Sequence, residues 1–150
     1  MRIIRTLFIS VSMLFSPLCL AGAWGIGSFE NDSALDWSYE LEHSIGSVAL
    51  QGAFRSVQVG GYIEVNACSA AMAAAEVVAA IKMKSFEQLP DSVRKWAISN
   101  SSVVNDALIQ NAKKSVAVCS NAENSELAQL WLESSSKEWA DYISTLSSKL

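Results

Sequence analysis

From residue 32 onward, apolar positions recur every three or four residues, the spacing of one face of an α-helix. Ala34, Trp37, Leu41 and Ile45 predict a first helix over Asp32–His43, with Asn31 or Asp32 capping its free N–H groups. Ser44 to Gly46 breaks the pattern. A second helix is expected over 47–57, with Val48, Phe54 and Val57 inward and Gly60-Gly61 as its stop. The third, over 63–83, is apolar nearly all round and rich in alanine, so it should be buried on most sides. Alanine has the highest helix propensity and lets neighbouring helices approach closely.

Leu89-Pro90 leads into a short helix over Asp91–Ser99 with Val93, Trp96 and Ala97 inward. Val104, Leu108, Ala112 and Val116 predict a helix over 102–119. Leu127, Leu130 and Trp131 predict one over 125–133, and Trp139, Ile143, Leu146 and Leu150 a last one over 136–149. No stretch alternates as a strand does, and no repeat or low-complexity tract is present. The expected class is all-α, a single domain of six or seven helices packed around the alanine-rich one. Ahead of it, Gly22 to Glu30 holds three glycines and two aromatics, the pattern of an ordered loop.

The N-terminus has the pattern of an address. Arg2 and Arg5 precede an apolar run from Leu7 to Leu20, and small residues follow at Ala21-Gly22-Ala23. That is the layout of a secretory signal peptide. Cuts after Ala21 and after Ala23 both fit the small-residue rule. Leu18 ahead of Cys19 speaks against a lipoprotein, and the run, interrupted by Pro17, is short for a membrane span. The expectation is an exported protein, periplasmic or secreted, with no stable span after cleavage; Glu76 interrupts the alanine-rich run.

Export changes the charge count. The chain has 150 residues, 51% of them hydrophobic and 17% charged, with net charge −4. Loss of Arg2 and Arg5 makes the remainder −6. An acidic chain without a basic cluster is a poor candidate for nucleic acid, because phosphate contacts need Lys and Arg, so no nucleic-acid partner is expected. Its single His excludes a His-rich metal site. Loss of Cys19 leaves Cys68 and Cys119, which form either a disulfide of the exported domain or two free thiols.

Motifs for phosphate, redox or nucleophile-elbow chemistry are absent, so no cofactor is expected. Glu76 is the sharpest candidate, since a carboxylate within an apolar helix must be paired or hydrogen-bonded. It is either a general acid/base or a structural hub, with the loop's backbone N–H groups or the Trp24 indole as donors. Asp32 and Asp36 lie one helical turn apart, with Glu30, Asn31 and Glu40 extending the acidic side. They are either oxygen ligands for a divalent cation or acids at the positive end of a helix. His43 is expected to interact with carbonyls at its helix end.

The segment Gly22-Ala23-Trp24-Gly25-Ile26-Gly27-Ser28-Phe29-Glu30-Asn31-Asp32, with Ala34, Asp36 and Trp37, resembles the opening of the bacterial family catalogued as domain of unknown function 4259. Tyr62-Ile63-Glu64 and the run from Ala73 to Ala80 look like that family's second signature, and Leu89-Pro90 with Trp96 and the Trp-bearing C-terminal helices also fit. The resemblance implies an all-α domain and no particular activity. The candidate functional or structural residues are Trp24, Gly25, Gly27, Phe29, Asn31, Asp32, Asp36, Glu64 and Glu76. The resemblance also favours a cut after Ala21, which keeps Gly-Ala-Trp-Gly whole and makes residues 22–150 the domain.

Two functions are compatible with these residues. One is a binding module, inhibitor-like or immunity-like, whose acidic face meets a protein partner with a basic surface. The other is a small hydrolase or metal-dependent enzyme using Glu76 with Glu64, Asp32 or Asp36.

Overall fold

The computed structural model describes residues 23–150; the expected signal peptide and Gly22 lie outside them. Among the described residues there are seven α-helices: α1 (Asp32–His43), α2 (Val48–Val57), α3 (Val65–Met83), α4 (Asp91–Ser99), α5 (Asp106–Cys119), α6 (Glu126–Ser134) and α7 (Ser136–Lys149). No strand is present among them beyond two isolated bridges, Ala23 with Asn31 and Ile63 with Ser125.

The alanine-rich helix α3 touches all six others. Every residue from Ala71 to Ile81 is buried, Glu76 included. The small side chains explain this: neighbours on all sides can approach a helix whose surface is mostly methyl groups. By length and composition α3 could cross a membrane, but 67% of its apolar stretch is buried inside the fold. Phe54, Leu50, Leu41 and Leu146 fill the larger gaps around it.

Cys68 of α3 and Cys119 of α5 face each other with Cα atoms 5.4 Å apart and sulfurs at disulfide distance, both fully buried. Ser125, at the start of α6, sits against this pair. Its hydroxyl donates to the Cys119 carbonyl at 2.9 Å and accepts the Ala128 N–H at 3.2 Å, so one buried side chain ends α5 and caps α6.

Asn31 caps α1, accepting the Ala34 N–H at 2.8 Å, while its amide donates to the Ser28 carbonyl at 3.2 Å. The cap thereby also holds the loop before it. Helix α3 begins at Val65, two residues later than periodicity predicts. The backbone of Ile63 is already used, donating to the Asn124 carbonyl and accepting from the Glu126 N–H. Helix α5 begins at Asp106 rather than 102, because Ser101–Val103 forms a 3₁₀ turn and Asn105 caps the helix through the Leu108 N–H.

Ile45 and Val48, expected inward, are 87% and 65% exposed. Helix α1 stops at His43, and the chain then turns through Gly46 at φ +58°, which carries both side chains off the helical face. His43 Nδ1 lies 2.8 Å from the Tyr39 carbonyl oxygen at that helix end.

Candidate functional site

The glycine loop folds around one of its own carboxylates. The Trp24 N–H donates to the Glu30 carbonyl at 3.0 Å, and the Gly27 N–H donates to Glu30 Oε2 at 2.7 Å. A Cβ at Gly25 would stand 2.2 Å from Glu30 Oε2, and one at Gly27 2.9 Å from it. The two glycines are therefore set by the room the carboxylate needs. Phe29 packs on the core, whereas the Trp24 indole is 59% exposed.

The loop is anchored at Ser28, which is buried. Its N–H donates to the Tyr142 hydroxyl oxygen at 3.2 Å, and the Ser28 and Tyr142 hydroxyls are themselves bonded. The Tyr142 hydroxyl in turn donates to Glu76 Oε2 at 2.9 Å. On its other side, Glu76 Oε1 lies 3.7 Å from Lys149 Nζ. The sequence-based expectation for Glu76 is thus corrected in its partners. The loop's N–H groups stop at Glu30 and Tyr142, and Trp24 points to solvent, so a phenol and an ammonium from α7 satisfy the carboxylate.

Burial, and secondarily the charge of Glu76, push the Tyr142 hydroxyl well above the usual phenol range. Tyr142 therefore stays protonated and acts as a donor. The Ser28–Tyr142–Glu76 line is a chain of hydrogen bonds whose middle member is held in its neutral form, not a base poised to ionise.

Glu30 lines one cleft of about 420 Å³ together with Glu76, whereas the other candidate carboxylates lie elsewhere. Glu64 is exposed in extended backbone ahead of α3, twelve positions from Glu76, or about 18 Å of helix rise. Asp36 is exposed and lines a groove of about 340 Å³ between α1, α2 and α3, together with Glu40. Asp32, in the first turn of α1, borders a different cavity of about 290 Å³ beneath the loop, with Met72, Trp131 and Trp139 on its walls. Among the described residues, no group of three or more His, Cys, Asp or Glu is placed to hold a metal.

Tyr142, Ser28 and Lys149 are the residues that sequence reasoning missed. A signal for Tyr142 was available, because it lies one turn from both Trp139 and Leu146 on the inward side of α7. Nothing in the sequence points to Ser28 as the loop's anchor.

The family described as domain of unknown function (DUF4259) matches residues 22–141. The chain belongs to that family. The match begins at the glycine loop and ends within α7, one residue before Tyr142, so the DUF4259 unit here spans nearly the whole helical domain. No curated protein and no solved structure matches the chain.

Proposed function

We propose that this DUF4259 domain is an exported binding module that engages a protein partner through complementary charge. The observation that carries this reading is the groove beside α1. Asp36 and Glu40 stand one turn apart on its wall, both exposed, and among the described residues neither forms an ion pair. A partner presenting Lys or Arg would find two carboxylates whose charge is uncompensated.

Export is supported by the apolar N-terminal run behind Arg2 and Arg5 and by the cysteine pair, since disulfides persist in oxidising compartments. The enzymatic alternative pairs Glu76 with Glu64, Asp32 or Asp36, and these three lie on other parts of the fold.

The test is capture from an extract of the exported compartment at low salt, with the recovered protein identified and its affinity measured. The expected partner is basic, its binding weakens steeply between low and physiological salt, and Asp36→Lys with Glu40→Lys abolishes it. Recovery of nothing, or of a protein indifferent to the double charge reversal, overturns the reading.

A further inference from the structure

The cavity beneath the glycine loop has a chemistry of its own. Its volume, about 290 Å³, is at the small end of ligand sites, which suits a single ring with a short substituent. Trp131 and Trp139 stack beside it, with ring centroids 5.8 Å apart and planes 16° from parallel. Met72 adds a polarizable thioether, and Ile26 and Leu130 close the sides. Asp32 is the one acidic or basic residue on its lining.

Fixed dipoles act in the opposite sense. The N-termini of α1, α3 and α6 border this cavity, and each contributes roughly half a positive charge. They are already answered from within the protein. Asn31 takes the Ala34 N–H, the Glu126 carboxylate takes the Val65 N–H at 2.8 Å, and the Ser125 hydroxyl takes the Ala128 N–H. The Asp32 and Glu126 carboxylates together outweigh the three partial charges. Indole faces attract cations as well, through the ring quadrupole. An apolar, aromatic interior below a negative rim selects a flat molecule with a positive end.

We infer that this cavity binds a small organic monocation with a planar apolar body, an arylalkylamine or the corresponding guanidine. The ring lies against Trp131, Trp139 and Met72, and the cationic end reaches Asp32. This site adjoins the charge-complementary groove and shares Ser33 and Asn66 with it, but Asp36 and Glu40 line the groove and not the cavity.

The test uses three probes of one shape on the purified chain at pH 7: phenethylamine, neutral 2-phenylethanol and anionic phenylacetate. Calorimetry should show the amine binding at least fivefold more tightly than either of the others. The indole N–H resonances of Trp131 and Trp139 should shift with it. Asp32→Asn, at an exposed position, should weaken the amine about threefold to fivefold and leave 2-phenylethanol unchanged. Leu130→Trp, on a partly buried wall position, should block the cavity and abolish amine binding without changing the unfolding temperature.

Absence of binding by all three probes, equal binding of amine and alcohol, tighter binding of phenylacetate, or undiminished binding to Leu130→Trp each overturns the inference. The neutral pair Asp36→Asn with Glu40→Gln should weaken the basic partner and lower amine binding less than Asp32→Asn does, so failure of the partner reading and failure of this one are told apart.

Discussion

The Tyr142 hydroxyl donates to Glu76 at 2.9 Å while its oxygen accepts the N–H of Ser28 at 3.2 Å. One phenol therefore joins three parts of the chain: the glycine loop, the central helix and the last helix. It supplies the hydrogen bond that a carboxylate in an alanine-rich interior requires, and it fixes the loop over the aromatic cavity.

Removal of that hydroxyl should destabilise the fold and loosen the loop. Tyr142→Phe leaves Glu76 with Lys149 alone and leaves the Ser28 hydroxyl without its phenol. The expected cost is about 1–3 kcal/mol in urea unfolding. Hydrogen exchange should accelerate over residues 24–30 more than elsewhere. Glu76→Gln keeps an acceptor for Tyr142 and should cost less. An equal or larger loss in Glu76→Gln would place the weight on Lys149 instead.

The raised Tyr142 ionisation predicts a specific alkaline weakness. Below a pH of about 10 the phenol is protonated in both folded and unfolded chains and adds no pH dependence. Above that, the unfolded chain loses this proton while the native one keeps it. Stability should then fall with rising pH by up to about 1.4 kcal/mol per unit. The comparison that isolates the effect is the native chain against Tyr142→Phe between pH 9 and 11.5. The variant should lack this part of the slope, and identical slopes would refute the assignment.

The cysteine pair closes a loop with a sequence separation of 51 residues. In the loop-entropy description such a bridge stabilises by about 4 kcal/mol. Cys68→Ala with Cys119→Ala should lower the unfolding free energy by that order. A reductant should have the same effect on the native chain and none on the double variant. Because both sulfurs are buried, reduction should require prior opening and accelerate in mild denaturant.

Gly25→Ala should act through Glu30. The new methyl would occupy the carboxylate's place, and the flexible Glu30 side chain would swing out and release the Gly27 N–H. The expected cost is about 1 kcal/mol. Glu30→Ala alone should cost about the same, and the double variant no more than either, because both changes break one interaction. Additive losses in a double-mutant cycle would show that Gly25 is needed for another reason.

The helices were legible because most of the inward faces repeat cleanly. Ala34, Trp37 and Leu41 in α1, and Val93, Trp96 and Ala97 in α4, are buried as their spacing predicts. Errors fell where a tertiary contact decides the backbone. Ile63 has the composition of a helix start but is tied to the entry of α6, and Ser101–Val103 tightens into a 3₁₀ turn. The end of α3 carried no glycine signal either. Lys84 takes the left-handed conformation at φ +55°, where its N–H bonds back to the Ile81 carbonyl. Of the site, the sequence identified Glu76 as a buried carboxylate needing partners. It could not name Tyr142 or Lys149, because both lie more than 60 positions away and reach Glu76 only once α7 docks on α3.

The link between Cys68 and Cys119 makes the chain between them a covalent ring. That ring contains Lys84, an exposed basic residue just past the end of α3 and open to a trypsin-like protease. A cut there separates no part of the molecule while the sulfurs stay joined. The nicked domain would run as one band without reductant and as two with it. Protease damage in the loop after α3 thus need not release the central helix from α5, and the particle can outlive the cut.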